Sequence, residues 1–417
     1  MEHVSRATVQ APSLRKSGER GAAHRRGPRD ASSSERRVIL ASVGVAARRE
    51  RMAGQVVQLA RELDWRQLSS SLRRRRLLPL LGPRIVELAQ GQAEERFVAE
   101  VQDALERGRR HGALLQLLAG RVKDALAEAG IHSSALKGPL LGEAIYGDPG
   151  RRPSADVDLL VAPDRLDAAV QIVRELGYGR PSDHVQASGL PTLHFALAHE
   201  RGELPPIELH WRVHWYEHSF ARERLLPAML NPPEGWRPAP ADELASLLLF
   251  YARDGFVDLR LAADLSAWWD TFGARLQPGS LDALVRAYPA LARALRAASR
   301  AAERVVGIPA NRIFEHLPRQ RMRERLAVRL ANPNPKSSDS VPQLNADMGL
   351  IDALLMPRGE AGAFVRRQLL PPREVLRTRA VQSDERRAVS QLGHCVRVLG
   401  RYGLTVGRLA RTPERCP

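Results

Sequence analysis

From Gln55 to about Gly130 the apolar residues recur at three- and four-residue spacings: Val57, Leu59, Leu63 and Trp65, then Val98, Val101, Leu105, Leu114, Leu117, Leu118 and Val122. That period puts them on one face of successive helices and predicts a helical segment over 52–130. Between 131 and 220 the pattern changes to short β-type runs broken by Gly, Pro and Asp. Beyond Pro240 helical spacing returns, with Asp242 as a candidate N-cap ahead of Leu244, Leu247, Leu248 and Tyr251. Further helices are predicted over 260–272, 280–306, 319–331, 346–356 and 384–410, with Asn332 to Asn345 as a loop or hinge. The expected fold class is α+β: a mixed β-sheet core over 131–220 held between an N-terminal helical segment and a C-terminal helical region over 221–417. No internal repeat is present.

Residues 1–51 show little periodic apolar pattern and are rich in Arg, Ser, Ala and Gly, so they read as a disordered basic tail. Met52 opens the first convincing helical pattern, which makes it a candidate for the true start.

Composition changes this picture little. A hydrophobic fraction of 44% in 417 residues is ample for real cores. No apolar run approaches the roughly 18 residues that cross a bilayer, so no membrane partner is expected. The formal charge of +17 invites a nucleic-acid reading, but two observations argue against it. Lys supplies only four of the 64 basic residues, as a GC-rich codon bias would produce. The first 51 residues carry a net +7, which leaves +10 dispersed over the other 366. A solvated Arg-rich surface explains that charge. Cys395 and Cys416 have neither disulfide-framework nor CxxC spacing, which fits a reducing compartment. No secretory signal is evident, and the acids at Glu2, Glu19, Asp30 and Glu35 argue against a transit peptide. Cytoplasm is the expected compartment.

The candidate chemistry lies in the central segment. Ile131 to Gly138 reads as a short buried strand giving way to a helix through about Tyr146. A Gly at such a mouth lets backbone N–H groups approach a phosphate, and Lys137 stands where its ammonium could reach the same group. A polar turn from Gly147 to Ala155 then runs into Asp156-Val157-Asp158-Leu159-Leu160-Val161. On a strand, residues i and i+2 share a face, so Asp156 and Asp158 project together. Their mutual repulsion is relieved by a divalent cation, or by solvent if they are turn acids. A hairpin follows: Thr192 to Ala198, a turn at Glu200 to Glu203, and a return from Ile207 to Trp215. Ile207, Leu209, Trp211 and Val213 alternate with Glu208, His210, Arg212 and His214. If the return strand lies beside the Asp strand, Glu208 completes a three-carboxylate site, with Glu203 as the competing acid. His210 is either a metal or substrate contact or a half-exposed strand residue.

Three motifs in order, Leu136-Lys137-Gly138, Arg152-x-Ser154-x-Asp156-Val157-Asp158 and Ile207-Glu208-Leu209-His210-Trp211-Arg212, closely resemble an uncharacterised nucleotidyltransferase-like family of bacteria within the DNA polymerase β-like superfamily. The resemblance covers about residues 100 to 375. It implies a nucleotidyltransferase-type mixed sheet and transfer of a nucleoside monophosphate, most simply AMP, from an NTP, most simply ATP, to an unknown hydroxyl on a small molecule or protein. It further implies Mg²⁺ ions on Asp156, Asp158 and Glu208 in a two-metal arrangement, with these three as the catalytic residues. Lys137, Gly138 and Ser154 would bind the triphosphate and Arg152 would neutralise developing charge. The alternative is a module of the same fold that binds or regulates with little turnover. Pro139 departs from the superfamily pattern because it removes one N–H from the phosphate cradle. The interval from Gly138 to Asp156 is also longer than in minimal members. Asp254 and Asp264, farther on, read as helix-surface acids paired with Arg253 and Arg260, and Trp268-Trp269 as packing.

Overall fold

A computed structural model of the chain describes residues 33–181, 192–217, 219–315, 321–331, 341–357, 359–371 and 391–411. Five helices come first: α1 (Ser33–Ser42), α2 (Ala46–Ala60), α3 (Trp65–Arg74), α4 (Leu78–Ala89) and the long α5 (Glu95–Glu128). Asp64 caps α3 by accepting from the Gln67 N–H. Residues 33–51, expected to be disordered, are therefore largely helical. Val38 and Ile39 are fully buried, so a start at Met52 would remove part of the core. Residues 1–32 lie outside the described residues.

The central segment supplies β1 (Ser133–Ala135), α6 (Pro139–Tyr146), β2 (Val157–Val161), α7 (Leu166–Glu175), β3 (His194–Leu197) and β4 (Ile207–His210). They form a four-stranded mixed sheet in the order β1-β2-β4-β3. β1 is antiparallel to β2, β2 parallel to β4, and β3 antiparallel to β4. The expected hairpin and its placement beside the Asp strand are both present. Its return strand is shorter than expected and ends at His210, so Trp211 to Trp215 continue outside the sheet.

Period-2 alternation gives this sheet two unlike faces. Val157, Leu159, Val161, Ile207 and Leu209 pack against Leu115, Leu118, Val122 and Leu126 of α5 and against Val173 of α7. Leu114 and Leu117, part of the same apolar pattern in the sequence, are 39% and 75% exposed because the helix turns them past the contact. The other face carries Asp158, Leu160, Glu208 and His210, and Leu160 joins the helical core instead.

That helical core is built largely by α8 (Pro240–Arg253), α9 (Leu259–Phe272), α10 (Ser280–Ala287), α11 (Ala292–Val306), α12 (Ala310–Ile313) and α13 (Met322–Leu330). The run predicted over 280–306 is broken at Pro289, where a 3-10 turn separates α10 from α11. Pro240 rather than Asp242 opens α8, and Asp242 accepts from Arg224 Nε at 3.0 Å. Every residue from Leu244 to Ala252 is buried, so α8 is central rather than amphipathic. Each such large side chain contributes about 1.5–3 kcal/mol by leaving water. The chain continues with α14 (Val341–Leu355), α15 (Glu360–Leu369) and α16 (Gln391–Arg411). Part of the predicted 332–345 loop is thus helical, and residues 332–340 lie outside the described residues.

The two helical segments do not merely flank the sheet. They pack on each other: the Val45 N–H donates to Val306 O at 2.8 Å, and Arg84 reaches Ser266 Oγ at 3.1 Å. No helix among the described residues is long and apolar enough to cross a membrane.

Candidate active site

The site begins at the end of β1. The Leu136 N–H donates to Asp158 O at 3.2 Å, which extends the strand pairing and aims the next residue across β2. Lys137 places its ammonium 3.1 Å from Asp158 Oδ1 and 5.5 Å from the centroid of the Phe250 ring on α8. Gly138 follows at φ 91°, a backbone conformation that a side chain would strain. It is the N-cap of α6, and Pro139 takes the first helical position.

The motif loop returns past α5 at very close range. A Cβ on Gly108 would come within 2.2 Å of Gly150 O, so a glycine is needed where the loop crosses that helix. Arg152, next in the loop, is 7% exposed and its Nε donates to Asp264 Oδ2 at 2.8 Å. Asp264 Oδ1 accepts from the Tyr146 hydroxyl at 3.0 Å. Asp264 is thus fully buried and satisfied, not the surface acid expected; Arg260 pairs with Asp258 instead, at 2.9 Å. Arg253 lies 3.7 Å from Asp254, as expected. Arg152 consequently ties the loop to α9. Ser154 Oγ donates to Asp156 Oδ1 at 3.3 Å.

Asp156 precedes the first residue of β2 and is half-buried. Burial and the negative charge of Asp158 push its carboxyl above the usual range, against the pull of Lys137. Asp158 is 2% exposed. Burial opposes its ionisation, but Lys137 and His210 outweigh that and hold its carboxyl well below the ordinary carboxylate value. Asp158 Oδ2 is buried without a hydrogen-bond partner among the described residues. In β4, Glu208 stands directly opposite Asp158 in the parallel register. Burial raises its carboxyl too, and the hydrogen bond from His210 reverses the balance downward. Glu203, the competing acid, is exposed.

His210 is not half-exposed as one expectation held; it is fully buried. Its Nε2 lies 2.9 Å from Asp158 Oδ1 and 3.2 Å from Glu208 Oε2. Opposite it on β3 is His194, whose ring centroid is 4.6 Å away and whose Nε2 is 3.6 Å from Glu208 Oε2. Burial and the neighbouring His210 bring the His194 imidazole down to about 4. His194 was missed in the sequence, although a hairpin centred on Gly202 pairs it with His210. Arg253, on the α8 end nearest these histidines, was also missed as a site neighbour; it stacks on Phe250 at 4.8 Å.

A small cavity lined by Gln116, Ala135, Lys137, Pro139, Asp156 and Asp158 lies between α5 and the mouth of α6. A larger open groove of about 870 Å³ runs along α5 past Leu117, Arg121 and Glu128. None of the predicted site residues lines it, so the chemistry rather than the volume marks the site.

The structure thus brings Lys137, Asp156, Asp158 and Glu208 together on one face of the sheet, over its two central strands, with Gly138 and Ser154 at its mouth and Arg152 behind. A family model described as uncharacterised nucleotidyltransferase matches residues 61–307, more than half of the chain. The chain belongs to this family. No curated protein and no solved structure matches it. The match starts earlier and ends earlier than the resemblance over 100 to 375, running from the N-terminal helices through the sheet to the end of α11. Membership supports nucleotidyl transfer as the general chemistry of this nucleotidyltransferase, and with it an NTP as substrate. The mixed α+β architecture is that of the fold type expected.

Proposed function

We propose that this nucleotidyltransferase moves a nucleoside monophosphate, most simply AMP from ATP, to a hydroxyl acceptor at the Asp156–Asp158–Glu208 cluster. The supporting observation is the parallel register that sets Asp158 beside Glu208 with Asp156 one step outside. The donor set fits a hard divalent cation. Asp158 Oδ2 is buried with no hydrogen-bond partner among the described residues, and the Asp156 carboxyl is raised by burial and by a neighbouring negative charge; a cation relieves both. Asp156, Asp158 and Glu208 would hold Mg²⁺, which when bound supplies electrophilic stabilisation of the phosphates.

The chain's own residues divide the remaining work. The Gly138 turn and the first turn of α6 offer backbone N–H groups to the triphosphate, while Pro139 supplies none. Lys137 contributes positive charge next to Asp158, and Ser154 orients Asp156. Glu208, ionised at neutral pH, accepts the proton of the acceptor hydroxyl. The acceptor oxygen then bonds to the α-phosphorus, the bond to the bridging oxygen breaks and pyrophosphate leaves. Arg152 acts through Asp264 by holding the loop in place.

Incubation with ATP labelled in its α-phosphate, Mg²⁺ and candidate acceptors tests this reading. Label transfer by the wild-type protein that is lost in Asp156→Asn supports it; equal transfer by both proteins sinks it. The engagement of Asp158 Oδ1 by both Lys137 and His210 favours a second reading, a nucleotide-binding module with little turnover. That reading expects Mg²⁺-dependent nucleotide binding, lost in Asp158→Ala, with no transfer in any acceptor screen.

A further inference from the structure

We propose that His194, Glu208 and His210 form a binding site for a divalent transition-metal ion of the Zn²⁺ or Co²⁺ type, distinct in ligand chemistry from a carboxylate Mg²⁺ site. The inference rests on the proposed function only in sharing Glu208 and in placing the ion beside the nucleotide.

The three residues offer donor atoms that all lie within 4.8 Å of one another. With metal–ligand bonds of about 2.0–2.1 Å, a tetrahedral centre needs its donors about 3.3 Å apart. Glu208 Oε2 stands 3.2 Å from His210 Nε2 and 3.6 Å from His194 Nε2. Two of the three separations are thus close to that value, and the third lies within 4.8 Å. β4 contributes two of the ligands at i and i+2, and the antiparallel register with β3 sets the third directly across from His210.

The surroundings also point to a cation here. His210 Nε2 lies 2.9 Å from one carboxylate, Asp158, and 3.2 Å from another, Glu208, so positive charge, as a shared proton or a cation, is drawn to this spot. A metal ion entering that position replaces the proton and satisfies both acids.

Two imidazoles and one carboxylate are borderline ligands that suit Zn²⁺ and its neighbours, whereas Mg²⁺ prefers oxygen donors and keeps several waters. Three protein ligands also leave a fourth position open, the arrangement of a site that accepts water or substrate rather than a closed structural site. His194 lies on the edge strand β3 with its side chain 25% exposed, which gives an entry path.

Chelator-stripped full-length protein titrated with Co²⁺, followed by visible absorption, tests the proposal. With Mg²⁺ in excess to fill the carboxylate site, the expected result is one equivalent of Co²⁺ bound per chain with d–d bands of low coordination number. His194→Ala should weaken Co²⁺ binding by on the order of a hundredfold. His194→Cys should restore it and add a sulfur-to-cobalt charge-transfer band, which shows that a loss in the alanine variant is not misfolding. Asp156→Asn should abolish nucleotidyl transfer yet leave Co²⁺ binding intact. If the wild-type protein binds Co²⁺ in this way but transfers no label, the metal site stands and the transfer reading fails. Equal Co²⁺ affinity in wild type and His194→Ala, or displacement of Co²⁺ by equimolar Mg²⁺, overturns the metal site.

Discussion

Two buried carboxylates in this molecule have opposite surroundings. Asp264 on α9 has both oxygens in use, one on Arg152 and one on the Tyr146 hydroxyl, and nothing in that cluster asks for a ligand. Asp158 on β2 has Lys137 and His210 crowded onto one oxygen and, among the described residues, no partner on the other. Both side chains are fully buried, so burial does not distinguish them. The difference lies in how completely their hydrogen-bonding capacity is met. A saturated pair holds structure in place, and an unsaturated one marks where chemistry can enter.

The largest expected effect falls on the saturated pair. Asp264→Ala leaves Arg152 buried without its partner, and chemical denaturation should show a loss of about 3–5 kcal/mol. A loss below 1 kcal/mol would mean that Arg152 finds water and that the two sites are not so different.

Asp158→Asn should behave in the reverse way. Label transfer should drop by about 10²–10³-fold, the scale of losing one preorganised electrostatic stabiliser, while the melting temperature falls less than in Asp264→Ala. A transfer rate within a factor of a few of wild type would place the chemistry elsewhere.

A third buried acid gives a reference without any charged partner in a hydrogen bond. Glu217 is 3% exposed and accepts the Val213 and Ala221 N–H groups at 3.2 and 3.3 Å. Burial pushes its carboxyl from 4.5 up to about 7, the backbone hydrogen bonds pulling the other way. Across that window the folded chain keeps a proton that the unfolded chain has lost. Stability should therefore fall as pH rises from about 4.5 to about 7, by about 3 kcal/mol from this group. Glu217→Gln should flatten that part of the stability–pH curve, measured by denaturant melts at several pH values; an unchanged slope would assign it to other groups.

The smallest effect sharpens the role of the turn before Asp158. Gly138→Ala forces a side chain into a φ 91°, ψ −154° backbone that essentially only glycine adopts and should cost about 1–3 kcal/mol. Nucleotide affinity should fall with it if the α6 mouth receives the triphosphate. Affinity held at the wild-type value, read by equilibrium binding, would separate the turn from phosphate recognition.

Much of the site was legible in the sequence because it is local. The strand-to-helix switch at Gly138, the alternation through Asp158 and Val161, and the hairpin around Gly202 each depend on residues within a few positions of one another. The resemblance carried by the three motifs named the family that the match over residues 61–307 establishes. Long-range pairing was not legible. Nothing near Arg152 announces Asp264, and the nearby Arg260, four positions earlier on the helix, placed that acid on a surface. Likewise α1 has too little apolar periodicity to stand out by itself, yet Val38 and Ile39 lie in the core because α2 and α4 cover them.

By itself the sequence determined the element types of the centre, the acids at the start of one strand and the order of the motifs, since backbone period and turn chemistry act over short distances. Only the tertiary structure decided which charges are satisfied. It placed Glu208 opposite Asp158, His194 opposite His210 and Arg152 on Asp264, because strand register and helix packing join residues that are far apart in the chain. Burial then made the resulting imbalance costly enough to matter.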